Sequence, residues 1–292
     1  MTFVLCTFIL LPILSGVPLY FIGRRKKALA EYICIVLCMV LMGLGIYVAF
    51  FAEQTAVTLP LTGIGLTCGH FHGFYTLLST ILWTGSAILN PWYFKGHRST
   101  NRYLCFSMLT LGATCGMFLA ADVLTAFLFF EIASFSTYFW FVQEDTADAK
   151  NSGRTYLMIE IFGGVVMLIG MILLYHMVGT FVFEEIAVKV NEVGYRPVKI
   201  AVAVCFLLGF GAKAGMFPLH SWLPMAHPAP APASALLSGT QIKTGLYGIL
   251  ILSTYILPGI RPYAYTSPVS IRYAIDPWVS APQKSIGIAS SP

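Results

Sequence analysis

Four ionisable side chains of this chain stand inside long apolar stretches: Glu131, Glu160, Lys213 and Lys243. Holding one such charge at mid-membrane depth costs roughly 2.5–3.5 kcal/mol on insertion scales, so each needs an opposite charge, a polar partner or water. Glu131 lies in Phe129-Phe130-Glu131-Ile132-Ala133-Ser134, and Lys213 in Gly209-Phe210-Gly211-Ala212-Lys213-Ala214-Gly215. Lys243 lies in Gly239-Thr240-Gln241-Ile242-Lys243-Thr244-Gly245. The small residues around both lysines let another backbone approach closely. One acid and two bases predict a pair between Glu131 and Lys213, with Lys243 further along the same hydrated path. The competing account is a static ion pair that only fixes helix packing. Glu160, near the start of its predicted span, is a secondary candidate for the same path.

Between the two lysines the chain reads Met216-Phe217-Pro218-Leu219-His220-Ser221-Trp222-Leu223-Pro224-Met225-Ala226-His227-Pro228-Ala229-Pro230-Ala231-Pro232. Five prolines cannot all sit in a regular helix, because each lacks an amide hydrogen. The spacing predicts a helix that breaks at membrane depth, where irregular backbone is tolerated only beside protein or a water-filled cavity. His220 and His227 carry imidazoles able to accept and donate protons near neutral pH. Flanked by buried lysines, both are candidates for proton relay, His227 nearer the predicted water interface. A counter-charge moving a few ångströms beside a buried lysine switches it between holding and releasing a proton. A unit charge crossing 100 mV is worth about 2.3 kcal/mol, a load of the size such a switch can drive.

The elements that must position these groups follow from composition. Hydrophobic residues make up 58% of the 292 and charged residues only 10%, against roughly 25% charged in soluble domains. That excludes a soluble enzyme, a disordered regulator and a disulfide scaffold. A membrane-spanning helix needs about 20 mostly apolar residues. Runs at 2–22, 28–51, 74–94, 103–121, 123–142, 155–178, 198–216 and 233–257 predict eight spans, the seventh broken. Segments this long and without alternation fit helices and exclude an outer-membrane barrel. The fold class is therefore all-α, a polytopic transmembrane bundle. The basic cluster Arg24-Arg25-Lys26-Lys27 follows the first apolar run, whereas a secretory signal carries its charge before it.

The connections set the orientation. Those after the first, third and fifth spans hold Arg24, Arg25, Lys26, Lys27, Lys95, Arg98, Arg102, Lys150 and Arg154; those after the second, fourth and sixth hold only Lys189, Arg196 and Lys199. This asymmetry predicts the odd connections on the cytoplasmic side and the N-terminus outside. Such a charge pattern reports membrane topology and gives no reason to expect a nucleic-acid partner. The stretch 52–73 is long enough for a small outer hairpin, and Asp122 is placed to cap a helix. Of the seven cysteines, six lie inside apolar runs and none forms a CxxC pair, so they read as small apolar residues. Residues 1–257 form the transmembrane domain in this reading. Residues 258–292, with six prolines and six serines, form an irregular polar tail.

The string GAKAGMFPLHSWLPMAHPAPAPASALLSGTQIKTGLYG, from Gly211 to Gly248, resembles the proton-antiporter-like membrane subunits of respiratory complex I. It looks closest to their relatives in membrane-bound energy-converting hydrogenases and formate hydrogenlyase. The segment from Phe130 to Tyr138 resembles that family's glutamate-bearing span, and the likeness covers about residues 60–257. The resemblance implies that Glu131 is the ion-pair glutamate, Lys213 the broken-helix lysine, Lys243 the lysine of the next span and His220 the motif histidine. Many members of the family carry an acidic residue where Met225 stands. The family also carries a second inverted repeat, whereas this chain shows the first repeat and the lysine span after it. That predicts a second half supplied by another polypeptide, a truncated chain, or a tail that is an out-of-frame continuation.

The expected function is proton translocation within a redox-driven membrane complex of the prokaryotic cytoplasmic membrane. The chain shows no Fe–S cysteine pattern, haem motif or nucleotide-binding glycine loop. Fe–S clusters and a NiFe centre or flavin are accordingly expected in partner subunits, and no cofactor in this chain. The alternatives are a structural membrane protein that docks neighbours and moves no ions, and a component of a multi-subunit sodium/proton antiporter.

Overall fold

The computed structural model describes residues 1–59, 63–95, 100–193, 196–226 and 229–256. Two long helices open the chain, α1 (Thr2–Arg25) and α2 (Lys27–Phe51), with Lys26 alone between them. The hairpin predicted within 52–73 follows as two antiparallel strands, β1 (Thr55–Thr58) and β2 (Gly65–Cys68), with Thr55 opposite Cys68 and Thr58 opposite Gly65. Then come α3 (His70–Tyr93), α4 (Thr100–Phe118), α5 (Val123–Phe141), α6 (Ala147–Val178), the short α7 (Phe183–Glu192) and α8 (Arg196–Ala214). Beyond α8 the helix breaks into 3-10 turns at Leu219–Trp222 and Pro224–Ala226. The chain resumes as α9 (Ala231–Leu236), a π-helical turn at Leu237–Gln241, α10 (Ile242–Ile251) and a second π turn at Leu252–Ile256.

Helices α1 and α4 run along one another, as do α2 and α3, α4 and α5, and α6 and α8. Six stretches among the described residues are long and apolar enough to cross a membrane: α1, α2, Val123–Glu144, α6, Pro197–Trp222 and Ala231–Ile256. This is the all-α, polytopic bundle that the composition demands. The α3 and α4 helices match two more predicted spans in place but are more polar. Fourteen of the nineteen residues of α4 are buried against its neighbours, so it needs no lipid-facing surface. The inner face of α3 carries Thr76, Ser79, Thr80, Thr84 and Asn90. Their hydroxyls bond back one turn, Thr76 to His72 O at 2.9 Å and Thr84 to Thr80 O at 2.7 Å, which satisfies them inside the helix.

Two boundaries differ from the sequence expectation. The α6 helix begins at Ala147, not near 155, and its 32 residues extend about 48 Å, longer than a bilayer core. Its first turn, capped by Thr146 Oγ1 on Ala149 N at 3.1 Å, therefore extends through the polar residues that apolarity alone leaves out. The α7 helix is amphipathic, burying Phe183, Ile186 and Val190 while Glu185 and Lys189 pair at 3.2 Å on its outer face. At ten residues it is too short to cross a bilayer core.

Alternate connections meet at opposite ends of the bundle. Lys27 Nζ donates to Phe94 O, and Arg102 Nη2 donates to Val142 O at 2.9 Å, tying the basic connections into one end. At the other end Thr67 N donates to Leu119 O at 2.7 Å and Val123 N to Phe181 O at 2.9 Å. Asp122 is the knot there: its carboxylate accepts from Thr125 N at 2.7 Å as the cap of α5, and from Gly65 N at 3.1 Å in the hairpin. Asp122→Ala is expected to cost about 1 kcal/mol, the usual cost of a lost cap, because Gly65 N keeps Thr125 Oγ1 as an acceptor at 3.1 Å. A thermal melt in detergent with an unchanged midpoint would contradict this role.

Candidate functional site

Lys213 sits in the last turn of α8, where the helix stops because Gly215 takes a positive φ of 66° and the proline-rich break follows. The negative end of the helix macrodipole favours a cation there. The side chain is fully buried, with 0% exposure. Its Nζ donates to Tyr156 Oη at 2.7 Å and Ser134 Oγ at 2.9 Å, and stands 3.5 Å from Glu160 Oε2. Ser134 Oγ in turn donates to Glu160 Oε2 at 2.9 Å. The ammonium also faces the rings of Tyr156 and Phe130, 5.3 and 5.6 Å from their centroids. Trp222, from the 3-10 turn after α8, packs edge-on to Tyr156 at 5.3 Å and donates its indole N–H to Ala212 O at 2.9 Å. The break thus folds back as the wall of the lysine's chamber.

The partner of Lys213 is Glu160, not Glu131 as the sequence suggested. The reason is packing. Gly163 and Gly164 let α6 close on its neighbours: a Cβ at Gly163 would meet Ala212 Cβ at 2.8 Å, and one at Gly164 would meet the Glu131 carboxylate. Glu160 lies one turn before these glycines on the same face of α6, so it is carried to the lysine. It also lies thirteen residues beyond Ala147, far deeper in the helix than its predicted position. Glu131, from α5, leans over Gly164 within electrostatic reach of both Glu160 and Lys213. Its Oε1 and the Oε1 of Glu160 are buried with no hydrogen-bond partner among the described residues. Two carboxylates and one ammonium therefore share one chamber.

The other predicted groups lie apart. Lys243 is half-buried and curls back along its own helix to donate to Ser238 O. His220 is exposed, its ring 5.7 Å from that of Phe217. No hydrogen bond or ion pair among the described residues joins either to Lys213. The continuous path that the sequence suggests thus has no direct side-chain link here: the break turns Trp222 inward and His220 outward. His227 lies outside the described residues.

Two polar clusters went unnoticed in the sequence. Gln241, fully buried, donates its amide to Thr114 Oγ1 at 2.8 Å and accepts from Thr137 Oγ1 at 3.4 Å, bridging the π turn before α10 to α4 and α5. A buried amide two residues before Lys243 was the available signal. At the hairpin end His72 Nδ1 lies 2.8 Å from both Phe118 O and Tyr247 Oη, beside a small cavity that Glu184 and Tyr255 also line. A histidine at a helix start gave no such hint.

With this geometry in hand, the match to known proteins is decisive at the family level. The model of the NADH:quinone oxidoreductase/Mrp antiporter transmembrane family matches residues 120–271, which hold all of the Lys213 chamber. The chain belongs to that family. Among its relatives, one Na(+)/H(+) antiporter subunit of Bacillus subtilis is 27% identical over 97% of this chain and 57% of its own length. One Na(+)/H(+) antiporter subunit of Alkalihalophilus pseudofirmus is 34% identical over 67% of this chain and 25% of its own. In fold, the chain resembles a protein of the Mrp complex from Dietzia sp. DQ12-45-1b (TM-score 0.77, 18% identity, 90% of this chain and 51% of that one). It also resembles a chain of the membrane-bound sulfane sulfur reductase, an archaeal respiratory membrane complex (TM-score 0.75, 22% identity, 88% and 54%). The antiporter-like chain spans well under two thirds of these relatives. It is an integral membrane protein of the antiporter-like type.

Proposed function

We propose that this chain is an ion-translocating component of a multisubunit membrane complex of the Mrp type, exchanging sodium for protons. The observation that carries the proposal is the Lys213 chamber. A fully buried ammonium is held by one carboxylate, with a second carboxylate close by whose Oε1 has no hydrogen-bond partner among the described residues. Both carboxylates ionised would leave a net charge of −1, which a proton or a sodium ion neutralises on arrival. The antiporter names of the relatives favour sodium/proton exchange.

In this proposal Glu131, Glu160 and Lys213 form the switching core, with Ser134 and Tyr156 handing protons between them. Lys243, His220 and His227 connect the core to water. The N-terminus faces outward across a prokaryotic cytoplasmic membrane, in keeping with the basic residues gathered at one end of the bundle. Partners are other membrane subunits of the complex. A second proposal, a redox-driven pump with Fe–S clusters and a NiFe centre or flavin held by partner subunits, draws support from the fold shared with a respiratory sulfur reductase.

The test is to purify the complex, identify its chains and seal it into vesicles carrying a pH dye. A sodium gradient is expected to move protons, and Glu131→Gln is expected to stop them. Proton movement that answers only to a reductant would favour the redox proposal. Undiminished exchange in the variant would sink the assignment of Glu131.

A further inference from the structure

A groove of about 600 Å³ runs between the C-terminal half of α5 and the N-terminal half of α6. Its rim lies at the basic end of the bundle and carries Arg102, Lys150 and Arg154 against the single acid Asp145. Lys150 pairs with Asp145 at 2.9 Å, and that hydrogen bond holds the Asp145 carboxyl below the usual carboxylate range. Arg102 commits Nε and Nη2 to Gln143 and Val142 acceptors at the end of α5, which anchors it at the rim. Arg154 is exposed and makes no ion pair among the described residues, so positive charge is left over at the mouth.

The floor is of opposite character. Lys150, Arg154, Met158 and Ile161 follow one another at spacings of four, four and three, which places them along one face of α6. From Arg154 to Ile161 the helix rises about 10 Å, so the charge gives way to apolar surface over roughly the depth of an acyl segment. Met158 is 59% exposed and Ile161 44%, and Phe139 of α5 forms the facing wall. Cations at the water level with an apolar trough running inward from them match an amphiphile whose head is an anion and whose tail is a hydrocarbon chain. A free phosphate would leave the trough uncovered, and a neighbouring apolar helix would leave the arginine unmatched.

We propose that this groove is a binding site for an anionic phospholipid, its phosphate held by Arg154, Lys150 and Arg102 and one acyl chain laid along Met158 and Ile161. The site is separate from the Lys213 chamber and does not depend on ion transport. Basic clusters at the cytoplasmic ends of spans attract anionic headgroups, each charge adding about fivefold in affinity.

The test uses the purified full chain in mild detergent, titrated with phosphatidylglycerol or phosphatidylcholine and read by native mass spectrometry. Phosphatidylglycerol is expected to bind at least tenfold more tightly. The double variant Lys150→Gln, Arg154→Gln should remove that preference, whereas Arg154→Lys should largely keep it. Both residues are exposed, so the variants disturb no core packing, and an unchanged thermal midpoint checks this. Met158→Trp, which fills the trough, should weaken both lipids. Equal binding of the two lipids by the wild-type chain would overturn the proposal. So would full displacement by millimolar inorganic phosphate, which would mark a plain anion site, or a co-purified protein segment seated in the groove in place of lipid.

Discussion

Lys213→Met is expected to stop ion movement and to destabilise the bundle, and adding Glu160→Gln is expected to return the stability but not the transport. The single variant leaves the Glu160 carboxylate at 2% exposure with its cation gone. Breaking a buried pair from one side typically costs about 3–5 kcal/mol, because the remaining charge has neither water nor partner. Glu160→Gln removes that charge while keeping an oxygen for Ser134 to donate to. If the pair serves only to fix helix packing, the double variant should transport as the wild type does. If the pair is the switch, transport stays at background in both. Thermal melts in detergent report the first quantity and vesicle flux the second, so packing and transport are separated. Flux that survives in Lys213→Met would remove the lysine from the mechanism.

Gly245→Val should be the most damaging substitution to the fold near the site. A Cβ at Gly245 would meet Ala214 N at 2.5 Å, Phe210 O at 2.6 Å and Ala214 Cα at 3.0 Å. All three are backbone atoms of the last turns of α8, so no side-chain rotation can relieve them. Overpacking typically costs about 1–3 kcal/mol, and contact with rigid backbone puts this position at the upper end. Relief requires α10 to move away from α8, which carries Lys213 out of register with Ser134 and Tyr156. Lower yield and a lower thermal midpoint are expected, with loss of transport in whatever folds. Gly164→Ala is the contrast, since the three atoms nearest its new methyl all belong to the movable tip of Glu131. That variant should fold nearly as the wild type while displacing the carboxylate. Equal melting of the two variants would show that α10 yields to a side chain at this contact without cost.

The fold class was legible because lipid leaves few choices. Runs of about 20 apolar residues in a chain with so few charges must be helices, since backbone polar groups in hydrocarbon have to be satisfied within their own segment. The break after Lys213 was legible for the same reason, as prolines cannot supply the amides a helix needs. The α7 helix was not, because ten amphipathic residues look like an ordinary polar connection. The early start of α6 was hidden too. Thr146 caps a turn whose charged residues mimic a loop when only apolarity is scored.

At the site, residue type and place diverge. Glu131, Glu160, Lys213 and Lys243 stand out in the amino-acid order by cost alone, since no buried charge at membrane depth is cheap. Which acid meets which base is a different matter. It depends on the rotation of each helix about its axis and on how closely two helices approach, and both are set by contacts distant in sequence. Gly163 brings α6 onto α8, which delivers Glu160 to Lys213, while Gly164 leaves room for Glu131 leaning in from the side. Trp222 turns into the bundle and His220 away from it because the proline-rich turns have no period that one-dimensional spacing can project. The sequence by itself determined that this is a helical membrane protein carrying buried acids and bases beside a broken helix. Only the tertiary structure decided their partnership, because helix approach is governed by small residues on facing helices, and those faces are not visible until the helices have packed.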